Sequence, residues 1–191
     1  GSLMLQRAIQ SCLSITAEQF FKFKRQAIKK FKEKTADGFH IYDRAYIQAR
    51  EIDQLCRKYS PDLLVFDQLD KIKGFDSRHD RDDLSLRRLY QWGRELAKEY
   101  CPVIGICQAG ATGEGKKWLT MDDVDGSKVA KQGEADWILG IGQSHQAGLE
   151  NIRHFHLSKN KLLGDSDTDP KNRHGKFDVR IQPEVCRFVD A

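Results

Sequence analysis

The stretch Pro61-Asp62-Leu63-Leu64-Val65-Phe66-Asp67-Gln68-Leu69-Asp70 decides the fold class. Its apolar run, 63–66, is too short for a helix and does not alternate. It reads as a strand buried on both faces, the pattern of a parallel sheet covered by helices. The strand ends in a carboxylate, Asp67. Before it, Ala45 to Tyr59 reads as a helix with Ile47, Ile52 and Leu55 near one face, stopped by Ser60-Pro61. After it comes a polar, charged loop over 70–82. Leu84 to Glu99 then places Leu86, Leu89, Tyr90, Gly93 and Leu96 at helical spacing. Pro102 to Cys107 is a second buried strand, ending in Gln108. A loop containing glycines and lysines spans 109–118, short helices fall in 120–135, and Trp137 to Ile141 is a third central strand.

Outside this centre the pattern changes. Leu3 to Leu13 reads as the end of an amphipathic helix. Thr16-Ala-Glu-Gln19 has the capping-box pattern, hydroxyl at N-cap and amide at N3, so a helix should run from there to about Lys34. Ala36-Asp37-Gly38 breaks it, and Phe39 to Tyr42 reads as a short strand. At the other end, Ile152 to Leu157 and Phe177 to Ile181 alternate, and Arg187 to Val189 is a short last strand. A Gly/Asp/Pro-containing loop, 163–175, lies between them. Helix and buried strand alternate first and hairpins follow. The expected fold is therefore α/β, with a mixed sheet that is parallel in the centre and antiparallel at its C-terminal edge. Ligands in such sheets sit at the carboxyl ends of the central strands, where Asp67, Gln108 and Lys159 fall.

Composition narrows the class. With 39% hydrophobic and 31% charged residues the chain is globular rather than disordered. No apolar run approaches a membrane span, and no secretory leader pattern opens the chain. Gly1-Ser2 reads as a remnant of tag removal. Cysteines 12, 56, 101, 107 and 186 form no CxxC pair and no zinc-ligand spacing, so scattered reduced thiols are expected. The net charge of +4 permits a polyanionic partner without requiring one. Lys22, Lys24, Arg25, Lys29, Lys30, Lys32 and Lys34 read as a solvated helix face.

The chemistry-bearing residues are few. A carboxylate ending a buried strand, as Asp67 does, can hold Mg²⁺ beside nucleotide phosphates. Asp70 is the next carboxylate and reads as a cap for the loop after it. An amide at the next strand end, Gln108, can hydrogen-bond a γ-phosphate or the attacking water. In Ala109-Gly-Ala-Thr-Gly-Glu-Gly-Lys-Lys-Trp118, glycine gives mobility, Lys116 and Lys117 can contact phosphate, and Trp118 can stack on a base or fold back on the core. Lys159 and Lys161, at i, i+2 spacing, share one strand face, as do His154 and His156. The lysines can reach one phosphate together or simply protect an edge strand; the histidines read as structural.

Taken in order, these features resemble the RecA-like motor domain of hexameric replicative DNA helicases of the DnaB, phage primase–helicase and Twinkle type. The resemblance rests on Pro61-Asp-Leu-Leu-Val-Phe-Asp67-Gln-Leu-Asp, Leu89-Tyr-Gln-Trp-Gly-Arg-Glu-Leu-Ala-Lys-Glu and Val103-Ile-Gly-Ile-Cys-Gln108. It continues through Asp123-Val-Asp-Gly-Ser, Gln132-Gly-Glu-Ala-Asp136-Trp-Ile-Leu and Ser158-Lys-Asn-Lys161-Leu-Leu-Gly-Asp, and covers about residues 3–189. It implies ATP and Mg²⁺ as cofactors, with Asp67 in the Walker B position holding the metal and Gln108 sensing the γ-phosphate. It implies single-stranded DNA along the 109–118 loop, with Lys116 and Lys117 as the best contacts. Lys159 and Lys161 correspond to a pair reaching a neighbour's nucleotide in a ring, expected to be a hexamer. A primase or helicase loader is an expected partner, and the cytoplasm of a bacterial or phage-infected cell the expected location.

Three departures qualify this. No GxxxxGK[ST] occurs in the sequence. The family order places that loop before residue 1, so residues 3–191 are expected to be the C-terminal portion of the motor domain, inactive as an isolated fragment. Lys161 stands where the family has arginine, keeping the charge but not the planar fork. Asp125 also stands where the family has arginine. The residues leave open a RecA-like recombinase-type ATPase, and a non-catalytic module that docks on replication proteins or nucleic acid.

Overall fold

The computed structural model describes residues 2–44, 46–75, 82–126, 128–163 and 169–191; the side chains of Ser2, Asp82, Lys128, Val129 and Lys171 are likewise outside the description. The element order is α1 (Ser2–Leu13), α2 (Ala17–Lys22), α3 (Lys24–Lys34), α4 (Ala49–Tyr59), β1 (Leu64–Asp67), α5 (Asp82–Glu99), β2 (Val103–Ile106), α6 (Lys128–Glu134), β3 (Trp137–Gly142), β4 (Ile152–Asn160), α7 (Pro170–His174), β5 (Lys176–Gln182) and β6 (Arg187–Asp190). β1 and β2 form a parallel pair, and an antiparallel sheet runs in the order β3-β4-β5-β6. The chain divides into two compact units, 1–44 with 145–153 and 178–191, and 45–144 with 154–177.

In the first unit, Ile9, Phe20, Ala27 and Phe31 form a buried cluster between α1, α2 and α3. Thr16 and Gln19 make the capping box the sequence announces: the Thr16 hydroxyl accepts from Gln19 N (3.2 Å), and the Gln19 side chain accepts from Thr16 N (2.9 Å). The helix does not run unbroken to Lys34. Phe23 leaves helical geometry (φ −122°, ψ 34°) and separates α2 from α3. Residues 39–42 are not a strand; Phe39 instead packs edge-on against Phe31, ring centroids 5.5 Å apart. β5 and β6 pair antiparallel, from Val179 opposite Asp190 to Gln182 opposite Arg187.

In the second unit, Ile52, Cys56 and Leu96 form the buried centre between α4 and α5, with Leu64, Phe66 and Val103 packed against it. This explains a correction to β1. Leu64 and Phe66 turn to the helices, but Val65 is 54% exposed on the other face, so among the described residues helices cover one face of the strand rather than two. Ile104 and Ile106 of β2 are similarly about half exposed, at 47% and 44%. α4 begins at Ala49, with Gln48 and Glu51 closing its own capping box. β3 pairs antiparallel with β4, Trp137 opposite Asn160 and Gly142 opposite His154. The third strand thus belongs to the antiparallel sheet, and the expected single mixed sheet is resolved into a parallel pair and an antiparallel sheet. The five cysteines are free thiols. Among the described residues no helix is long and apolar enough to cross a membrane.

Candidate functional site

The parallel register puts Leu64 opposite Val103 and Asp67 opposite Ile106. Asp67 therefore ends β1 level with the end of β2, and Gln108 follows two residues beyond. Both side chains are exposed. The topology thus brings the first two site residues to one edge, the carboxyl end of a parallel pair. Among the described residues no three His, Cys, Asp or Glu side chains cluster as a metal site. A single strand-end carboxylate still fits Mg²⁺, which commonly takes one or two carboxylates and leaves its other positions to water and substrate phosphates.

The chain after Gln108 leaves as a loop closed at its base. Gln108 O accepts from Asp125 N (3.2 Å), Gly110 N donates to Asp123 O (2.7 Å), and Ala109 bridges Val124. Inside the loop sits Asp123, 1% exposed. Its carboxylate accepts from Lys116 Nζ (2.6 Å), Thr120 N (2.9 Å) and Thr120 Oγ1 (3.1 Å). Burial alone would raise this carboxyl, but the hydrogen bonds from Lys116, Thr120 and Thr112 outweigh it and hold it at about 2.

The far side of the loop lies flat on β3. A Cβ at Gly140 would stand 2.7 Å from Leu119 Cβ, and one at Gly142 would overlap Lys117 O and Lys116 O. Glycine in this strand allows backbone to lie on backbone. His156, buried on β4, donates from Nδ1 to Leu119 O (2.6 Å), which fixes its tautomer. Trp118 packs edge-on against buried His154, centroids 5.2 Å apart. The loop candidates therefore occupy different settings. Lys116 turns inward to Asp123, Trp118 folds back half-buried onto β4, and Lys117 is exposed with Nζ 5.2 Å from the indole centre.

Lys159 and Lys161 are brought together at the last turn of α6. Lys159 Nζ donates to Gln132 O, and Lys161 Nζ reaches Gly133 O at 3.4 Å. Arg94 completes the set, donating to Glu134 O (2.7 Å) and pairing with Asp136 (3.1 Å). Three cations thus cover the carbonyl end of one short helix, where the backbone dipole favours positive charge. Burial, then the nearby Lys161 charge, holds the Lys159 ammonium below the ordinary lysine value. Gly164 and Asp165 of the matching sequence segment lie outside the described residues.

One buried cluster has no sequence signal beyond its separate letters. Lys131, 4% exposed on α6, pairs with Asp70 at 2.5 Å, and Tyr90 Oη donates to the same carboxylate at 2.8 Å. Asp70 therefore joins β1's exit to α5 and α6. Burial, then the Asp70 charge, pushes the Tyr90 phenol far above its usual value. The neighbouring Gln132 donates to Met121 O at 2.6 Å. α6 thereby touches the exit of β1, the turn after the 109–118 loop, and the lysine pair.

With this geometry in hand, solved structures give the fold. The chain superposes on a structure described as an ATPase domain with a TM-score of 0.74, covering 100% of this chain and 71% of that one, at 17% identity. It superposes on a DnaB-like replicative helicase, in a structure described with its interactions with primase, with a TM-score of 0.72. That match covers 97% of this chain and 48% of the other, at 14% identity. The chain shares the fold of that ATPase domain and of part of the DnaB-like helicase. The sequence itself matches no protein-family model and no curated protein. At these identities the DnaB-like relationship is one of fold. The chain spans about half the length of the DnaB-like helicase.

Proposed function

We propose that this chain is part of an ATP-driven replicative DNA helicase motor that translocates on single-stranded DNA and unwinds duplex. The observation that carries the proposal is the placement of Asp67 and Gln108 at the carboxyl end of adjacent parallel strands in a helicase ATPase-domain fold. Asp67 holds Mg²⁺ beside the nucleotide phosphates. Gln108 contacts the γ-phosphate or attacking water and relays its state into the 109–118 loop that follows it. Metal-bound nucleotide supplies the phosphoryl chemistry; the chain's own residues orient it.

The phosphate-binding loop is taken to come from sequence outside this chain, because no GxxxxGK[ST] occurs within it. Half-exposed Ile104 and Ile106 are consistent with further structure covering β2. On this reading the isolated fragment does not hydrolyse ATP. Lys159 and Lys161 act on the nucleotide of a neighbouring subunit in a ring, exchanging their α6 carbonyl contacts for phosphate oxygens. A primase or loader is a partner of the whole protein. The test is Asp67→Asn in the full-length protein. Loss of most ATP turnover with retained folding is expected; unchanged turnover would remove Asp67 from the metal site.

A further inference from the structure

The exposed cations around Trp118 carry one inference more, and it rests on the reading of the 109–118 loop as nucleic-acid-facing. Lys117 Nζ stands 5.2 Å from the Trp118 ring centre. Lys176 Nζ, from the first residue of β5 and 59 positions away in sequence, stands 5.7 Å from the same centre. Both lysines are exposed. Two like charges brought to one indole repel each other; cation–π attraction offsets part of this, and an anion placed at both ammonium groups offsets more. Neither position is left to chance. Lys117 is held because its backbone lies on Gly142 and because Asp123 clamps the loop through Lys116 and Thr120. Lys176 is held because Leu157 N donates to Gly175 O (2.8 Å), tying the start of β5 to β4. Lys116, by contrast, has its ammonium on a buried carboxylate.

We infer that Lys117 and Lys176, not Lys116 and Lys117, form the phosphate-contacting pair, and that Lys176 is a nucleic-acid contact on the C-terminal sheet. The ligand is the phosphodiester backbone of a single strand. The two ammonium groups contact its phosphates, while Trp118 supports them as an apolar floor rather than stacking on a base.

The test is the salt dependence of binding of a labelled oligothymidylate to the full-length protein. Each phosphate contact removed from a single strand flattens the log–log salt slope by about 0.7. Lys176→Ala and Lys117→Ala should each do so, the double variant by about 1.4, while Lys176→Arg and Lys30→Ala, at an exposed position on helix α3, leave the slope as in the wild type. A slope change of 0.7 is about a 2.6-fold smaller loss of affinity over a fourfold rise in salt. If Lys117→Ala flattens the slope and Lys176→Ala does not, the inference fails while the loop reading stands. If neither variant alters it, both fail. Equal flattening by Lys30→Ala would reduce the effect to net charge and overturn the assignment.

Discussion

Replacing Asp123 by asparagine keeps the side chain's shape and removes the charge that organises the 109–125 loop. The carboxyl is held at about 2, against an ordinary value of 3.8. That difference corresponds to about 2–3 kcal/mol of native-state stabilisation at neutral pH. Because its partner Lys116 is about half exposed (48%), solvent screening brings the expectation to about 2 kcal/mol. The sign follows from a depressed carboxyl: the contribution is complete above the unfolded value and disappears as pH falls through the folded one. The stability gap between wild type and Asp123→Asn should therefore be constant above about pH 5 and shrink progressively as pH falls from about 4 towards 2. Urea denaturation of both proteins at pH 7 and at the lowest pH where both still fold measures it. A gap below about 0.5 kcal/mol at pH 7, or one that does not shrink on acidification, would refute the argument that charge-assisted hydrogen bonds hold this loop.

Lys131→Met should cost about 2–3 kcal/mol, because it leaves the Asp70 carboxylate, only a quarter exposed, without its ammonium. Adding Asp70→Asn should recover about 1–2 kcal/mol of this in a double-mutant cycle, and strict additivity would show that the pair is not coupled. Gly142→Ala should destabilise by about 1–3 kcal/mol, since its Cβ would overlap the carbonyls of Lys116 and Lys117 and the obstacle is backbone. An unchanged denaturation midpoint would mean that the loop does not rest on β3.

What was legible in the sequence follows from how local the signal is. The Thr16–Gln19 capping box, the α5 stripe and the strand end at Asp67 are contiguous patterns, and the structure places them where the patterns do, whereas β2 stops at Ile106, two residues short of Gln108. Whether β1 is covered on both faces depends on residues distant in sequence, so the apolar run 63–66 did not reveal that Val65 would be half exposed. The break at Phe23 was hidden because every residue around it tolerates helix. At the site, type and spacing brought Lys159 and Lys161 together, but not what they touch. Their acceptors are backbone carbonyls of α6, which carry no letter in the sequence. The Asp70–Lys131–Tyr90 cluster and the Lys117–Trp118–Lys176 grouping join positions tens of residues apart, and no period or motif links them.

ATP hydrolysis by the full-length protein, with and without single-stranded DNA, tests the central claim most directly. The account predicts turnover that rises strongly when single-stranded DNA is added. Absence of hydrolysis in both conditions would contradict a motor and leave the DnaB-like fold as a binding scaffold.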